Sequence, residues 1–246
     1  LSISFFITAI LYSSVGFGGG STYLALLLIW GIPYYIFPVI ALLCNIIVVS
    51  GNSFNYIRAG NLNLKLLIPF LVGSIPFAFF GGSLKINKEV FEIFLFIVLS
   101  IAGILLLVKN KSYDSDDLVV NKIKFIYSLL IGSILGFVSG VVGIGGGIFL
   151  SPILFLLKAE KPKIIATCAS LFILINSISG ILGQLTKDNT FNELINYWPL
   201  FLSVLLGGFF GNYLNLKIFS NRTLTIMTSL LVIFVSLRMG IRIFFD

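Results

Sequence analysis

Hydrophobic positions in this chain fall in long unbroken runs, without the alternation of a strand or the single stripe of a soluble helix. No Asp, Glu, Lys or Arg occurs from Leu1 to Ile57, and further charge-free runs cover 66–84, 93–108, 125–157, 164–186, 194–216 and 223–237. A helix needs roughly 20 apolar residues to cross bilayer hydrocarbon. Glycine, proline and polar positions divide the runs into pieces over 1–15, 20–31, 34–51, 64–82 and 90–108, then 124–142, 147–157, 163–185, 194–214 and 223–245. The pattern predicts an all-α integral membrane protein whose solvent is the lipid bilayer.

The second piece of each half is too short to span alone, and a glycine string precedes each one. Gly16, Gly18, Gly19 and Gly20 form the first, and Gly143, Gly145, Gly146 and Gly147 recur 127 residues later. Each glycine costs a helix about 1 kcal/mol relative to Ala, so each string predicts a break. Other matches follow at similar offsets: Pro33 with Pro162, Asn45 with Asn176, Pro69 with Pro199, and Phe79-Phe80-Gly81 with Phe209-Phe210-Gly211. The chain therefore reads as a first repeat over 1–108, a linker over 109–124 and a second repeat over 125–246.

The positions of Lys and Arg choose between two topologies. If each glycine break turns the chain back in a hairpin, Arg58, Lys65, Lys109, Lys111, Lys122, Lys124, Lys158, Lys161, Lys163, Lys217 and Arg222 share one side. Only Lys85, Lys88, Lys187, Arg238 and Arg242 face the other. If the two pieces around each break form one crossing, the bias vanishes. The rule favours two inverted repeats, each with a glycine-broken or re-entrant helix pair plus three spanning helices. The central loop is then cytoplasmic and both termini extracytoplasmic in the cell membrane.

Composition agrees: 58% of residues are hydrophobic, 10% are charged, and the mean hydropathy is +1.11. A soluble domain carries about 25% charged residues. The net charge of +7 belongs to short loops between apolar runs, where it is a topology signal rather than a nucleic-acid surface. Cys44 and Cys168 stand alone in apolar segments and read as small core residues. The chain has no His, and no cofactor motif is present. Asp114, Asp116 and Asp117 lack the glycine and distant Glu of an EF-hand and read as part of the solvated linker. Nor does a strand-helix alternation or an acidic ribose partner accompany the second string, as a dinucleotide fingerprint requires. Gly132, Gly136 and Gly140, four residues apart, read as a helix-packing face.

Broken backbone at membrane depth persists only where protein or a hydrated cavity satisfies it. The helices starting near Gly20 and Gly147 point free amides, and a dipole end worth roughly half a positive charge, at their breaks. Such termini hold an anion without a buried cation. The candidate binding residues are Gly18, Gly19, Gly20, Ser21, Thr22, Gly145, Gly146 and Gly147 in the breaks, with Ser14, Asn45, Thr167 and Asn176 beside them.

At these residues the chain resembles the TauE/SafE family of sulfite and organosulfonate exporters, also called TSUP. The resemblance is carried by Val15-Gly16-Phe17-Gly18-Gly19-Gly20 and Gly143-Ile144-Gly145-Gly146-Gly147, with Pro33, Pro152, Pro162 and the segment Ala166 to Ser170. It implies a transporter for a small sulfur-containing anion such as sulfite, thiosulfate or an organosulfonate, without enzymatic activity. The residues alone leave open a cation-coupled carrier of another small organic solute and a non-transporting membrane scaffold. They also leave homo-oligomers open, as well as the direction and driving force of transport.

Overall fold

The computed structural model describes residues 1–108, 121, 123–187 and 193–214, and positions 230, 233, 236, 237, 240 and 241. Most of the linker over 109–124 and of the last piece over 223–245 lies outside the described residues. The ordered helices are α1 Ser2–Val15, α2 Gly20–Ile29, α3 Phe37–Arg58, α4 Leu64–Ser83, α5 Lys88–Val108, α6 Phe125–Val142, α7 Gly147–Leu156, α8 Pro162–Gln184 and α9 Trp198–Leu214. Short 3-10 turns, Tyr34–Ile36 and Leu194–Tyr197, lead into α3 and α9. The described residues contain no strand.

The spans Tyr34–Arg58, Leu64–Ser83, Phe125–Val142, Lys163–Gln184 and Leu194–Tyr213 are long and apolar enough to cross a membrane, whereas α2 and α7, at 10 residues each, are not. Ile68, Val72, Ile75 and Phe79 on α4 are exposed, while Gly73, Ser74 and Ala78 are buried. An apolar outer face over an inner face of small residues is what lipid-facing helices require. One boundary differs from the sequence expectation: the third piece continues past 51 to Arg58. Gly51 does not end it, because its missing side chain makes room for Asn212 of α9, and Asn52 and Ser53 after it are buried.

Small residues set how the helices meet. Gly132, Gly136 and Gly140 of α6 lie against the backbone of Phe70, Ser74 and Ala78 of α4, as the four-residue spacing predicts. A Cβ at Gly136 would approach Ser74 Cα to 2.6 Å. The same device recurs across the repeat, where Gly207 and Gly211 of α9 lie against the carbonyls of Phe6 and Ile10 in α1. Overpacking such a backbone contact costs about 1–3 kcal/mol or more. Gly136→Val is accordingly expected to lower the melting temperature of the purified protein by several degrees, read by intrinsic fluorescence. An unchanged melting temperature would show that α4 and α6 are not in close contact.

These contacts also give the helix directions. Along α3, Val48 lies by Gly208 and Asn55 donates to Asn212 at 3.5 Å, so α3 and α9 run in one sense. The α1 contacts put α1 in that sense too. Ser179 of α8 donates to the Ile75 carbonyl at 2.6 Å and Gly183 lies against Phe79, so α8 and α6 both run with α4. In contrast, α3 and α8 are antiparallel, with Leu42 beside Gly180 and Ser53 Oγ 3.0 Å from Ser170 Oγ. Because α1 and α3 share a direction, α2 runs back between them, and α7 runs back between α6 and α8. Among the described helices, α1, α3 and α4 run opposite to α6, α8 and α9 respectively.

Candidate functional site

Both breaks are built alike. Gly16 and Gly143 end α1 and α6 with φ of 84° and 91°, and Gly19 and Gly146 begin α2 and α7 with φ of 85° and 77°. The left-handed region costs an L side chain roughly 1–2 kcal/mol, which explains glycine at these two pairs of positions. No side chain caps either short helix. The first amides of α2 and α7 are therefore without intrahelical acceptors.

The two breaks touch each other inside the bundle. A Cβ at Gly20 would lie 2.9 Å from the Ile144 carbonyl oxygen and 2.8 Å from Asn45 Nδ2, and one at Gly18 would strike Asn45 Oδ1. A Cβ at Gly145 would lie 3.0 Å from Asn45 Nδ2 and 3.2 Å from Ser177 Oγ. Asn45 is fully buried, and its Nδ2 donates to the Gly143 carbonyl at 3.3 Å. One side chain of α3 thus sits between the N-terminus of α2 and the loop that begins α7. The start of α2 and the loop leading into α7 thus meet at a buried point where no Lys or Arg stands among the described residues.

Several fully buried groups of the bundle lack hydrogen-bond partners. They are Asn45 Oδ1, Asn176 Oδ1, Ser177 Oγ, Ser139 Oγ and Tyr23 OH, together with both amide atoms of Asn52 and Gln184 Oε1. An unmet buried polar group costs about 1–3 kcal/mol, so a cluster of them marks a place for water or ligand. Because α3 and α8 are antiparallel, Asn52 and Gln184 lie on opposite sides of the crossing at Asn45 and Ser177. The unmet groups on α3 and α8 are thus spread along the length of those helices.

The other predicted residues divide into two sets. Gly19 packs between Tyr12 and Tyr23, Gly146 against Phe172, and Gly147 against Ile173. Thr22 Oγ1 and Ser21 Oγ lie 2.7 and 3.4 Å from Tyr12 OH, giving the first break a hydroxyl lining. The corresponding stretch after Gly147 is Ile148 and Phe149, so the lining is one-sided. Asn176 Nδ2 donates to the Phe172 carbonyl at 2.9 Å and leaves its oxygen free for the crossing. Ser14 and Thr167, in contrast, donate to Leu11 and Lys163 of their own helices at 2.7 and 2.8 Å. Sequence reasoning passed over Tyr12, Tyr23, Asn52 and Gln184. Asn52 carried a legible signal, since it follows Asn45 by seven residues and so falls on the same helix face.

The family described as sulfite exporter TauE/SafE matches residues 1–239. A probable membrane transporter protein of Sinorhizobium fredii, y4hK, is 25% identical over 240 residues, covering 97% of this chain and 96% of that one. The probable membrane transporter protein MJ0441 of Methanocaldococcus jannaschii is 32% identical over 197 residues, covering 74% of this chain and 70% of its own. YunE of Bacillus subtilis, also a probable membrane transporter protein, is 22% identical over 245 residues. No solved structure matches.

Proposed function

This chain belongs to the sulfite exporter TauE/SafE family of membrane transporters, and on that premise we propose that its cargo is a small sulfur-containing anion. Sulfite, thiosulfate and organosulfonates are the class. The observation that carries the reading is the meeting, at Asn45, of the uncapped N-terminus of α2 with the glycine loop that leads into the uncapped α7. Backbone amides supply positive potential there without the cost of a buried permanent charge. The hydroxyls of Ser177 and of the Tyr12, Ser21 and Thr22 cluster stand ready to donate to oxyanion oxygens.

Opposed helix directions in the two halves support inverted repeats, and inverted repeats provide alternating access. Rocking one half against the other exposes the crossing first to one side and then to the other. Placing the more basic loops in the cytoplasm puts Arg58, Lys65, Lys124 and Lys158 there and Lys85 and Lys187 outside. The bare amide oxygens of Asn45 and Asn176 favour a second element, a coupling cation that travels with the anion. Sodium is then expected to tighten anion binding severalfold relative to N-methylglucamine, a bulky cation.

A thermal-shift screen of purified protein tests the cargo class. Sulfite, thiosulfate, sulfoacetate and taurine are compared with sulfate and acetate. A cargo present at 100 times its dissociation constant stabilises by about 2.7 kcal/mol, and the shift grows with the logarithm of concentration. No shift with any sulfur anion, or an equal shift with acetate, would contradict the proposal.

A further inference from the structure

The glycines show which helices each helix packs on most tightly, and the grouping does not follow the sequence repeats. In α4, Gly73 lies against Leu129 and Gly81 against Phe137, both in α6, and Gly82 lies against Gly180 of α8. In α9, Gly207 and Gly211 meet α1, and Gly208 meets Val48 of α3. Thus α4 of the first repeat packs with α6 and α8 of the second, and α9 of the second packs with α1 and α3 of the first.

Polar contacts repeat the exchange. Ser13 Oγ of α1 donates to the Gly208 carbonyl of α9 at 2.8 Å, and Ser179 Oγ of α8 donates to the Ile75 carbonyl of α4 at 2.6 Å. At the helix starts, Tyr35 ahead of α3 donates to the two carboxylate oxygens of Glu193 ahead of α9, at 2.7 and 2.6 Å. Asn63 caps α4 by accepting from the Leu66 amide at 3.2 Å, and its Nδ2 donates to Glu160 ahead of α8 at 3.0 Å. Both links join one repeat to the other, yet both stay within one exchanged set of helices.

We propose that transport moves two rigid bundles of mixed origin, α1, α3 and α9 in one and α4, α6 and α8 in the other, with the cargo shifting the angle between them at the seam of α3 with α8. The inference rests on the transport reading above for the motion, and on the helix contacts for what moves. The half that rocks is then a mixed bundle, not a sequence repeat.

Inside each bundle, glycines lay backbone on backbone over successive turns. Interfaces packed this closely hold one arrangement instead of sliding. At the seam, Leu42 meets Gly180 through its side chain, and Ser53 meets Ser170 through hydroxyls 3.0 Å apart. Backbone approaches backbone there at the glycine breaks, Gly143 with Pro38 and Gly20 with Ile144. The seam helices α3 and α8 also carry Asn45, Asn52, Asn176 and Ser177, each with a buried atom that lacks a partner. Parting them lets water or cargo reach such groups, which lowers the cost of opening. The chain passes from α3 to α4 through Gly60, whose φ is 74° and whose Cβ position has nothing within 4 Å. No packed neighbour holds that turn at one angle.

Pulsed electron-spin distance measurements on the full-length protein in lipid vesicles separate bundles from repeats. Spin labels are attached to cysteines at exposed positions, in a background with Cys44 and Cys168 replaced by Ala. Phe54→Cys with Leu202→Cys samples one bundle and two repeats, whereas Phe54→Cys with Val72→Cys samples one repeat and two bundles. Saturating thiosulfate is expected to leave the first distance unchanged and to shift the second by several ångström. An independent set, Leu182→Cys with Ile68→Cys and Leu182→Cys with Leu202→Cys, is expected to repeat the pattern in that order. A shift in the pairs within one bundle, or none in the pairs across the seam, would overturn the inference. Thiosulfate flux into the same vesicles keeps the two claims apart. A seam shift without flux retains the bundles and removes the transport reading, and flux with a constant seam distance does the reverse.

Discussion

Asn45→Leu is expected to reduce sulfur-anion flux by roughly 100-fold while leaving the protein at least as thermally stable as the wild type. Both halves of this expectation come from the same geometry. Asn45 Nδ2 holds the Gly143 carbonyl, and its carboxamide separates Gly18 and Gly20 from Gly145. Leu keeps the volume but loses the tether and the polar surface offered to the ion. Hydrogen bonds involving a charged partner contribute about 1.5–3 kcal/mol, and 2.7 kcal/mol corresponds to about 100-fold. Stability should not fall in proportion, because Asn45 Oδ1 is buried without a partner and an apolar replacement removes that penalty. Radiolabelled thiosulfate exchange in proteoliposomes and a melting curve on the same preparation give the two numbers. Flux unchanged, or flux lost only together with folding, would contradict the role assigned to Asn45.

The second large effect concerns the helix starts. Gly19→Val and Gly146→Val each place a β-branched residue at a φ of 85° or 77°. They also push a Cβ against a packed ring, Tyr12 and Tyr23 in the first case and Phe172 at 2.8 Å in the second. Left-handed backbone alone costs such a residue about 1–3 kcal/mol, and relieving the clash turns the first amides of α2 or α7 away from the crossing. Each variant is expected to reach the membrane yet lose essentially all thiosulfate exchange. Because an anion held between two N-termini needs both, the two losses should be similar in size. A large loss in one variant beside normal exchange in the other would assign the site to one half only.

Most of the helical architecture was legible in the sequence because the bilayer imposes one requirement, about 20 apolar residues per span, and glycine strings interrupt it visibly. The pieces at 20–31 and 147–157 were recognised as too short for the same reason, and the structure places α2 and α7 there. The direction of the chain at each break was not readable from hydropathy. The positions of Lys and Arg favoured a hairpin there, and contacts such as Ser179 with Ile75 and Gly211 with Ile10 give the helix directions independently.

The candidate site shows the same division. Asn45 and the glycines stood out because polar or flexible residues are costly in an apolar run. Tyr12, Tyr23 and Gln184 did not, since a tyrosine or glutamine near a helix end usually reaches water. Ser14 and Thr167 look identical to Ser21 and Ser177 in sequence, yet the first two donate to their own helices. Only the direction of each hydroxyl separates a lining group from a locally satisfied one. In the sequence Lys85 and Lys187 are topology signals only, and their place on one cavity depends on α4 and α8 lying side by side.

The central claim is that the two glycine breaks form one anion site reached in turn from both faces of the membrane. Ser177→Cys, in a background with Cys44 and Cys168 replaced by Ala, tests it most directly. A membrane-impermeant methanethiosulfonate reagent is applied to one face of sealed vesicles at a time, with and without thiosulfate. The account predicts modification from either face and slowing by thiosulfate on both. Modification from one face only, or at a rate that thiosulfate leaves unchanged, would contradict it.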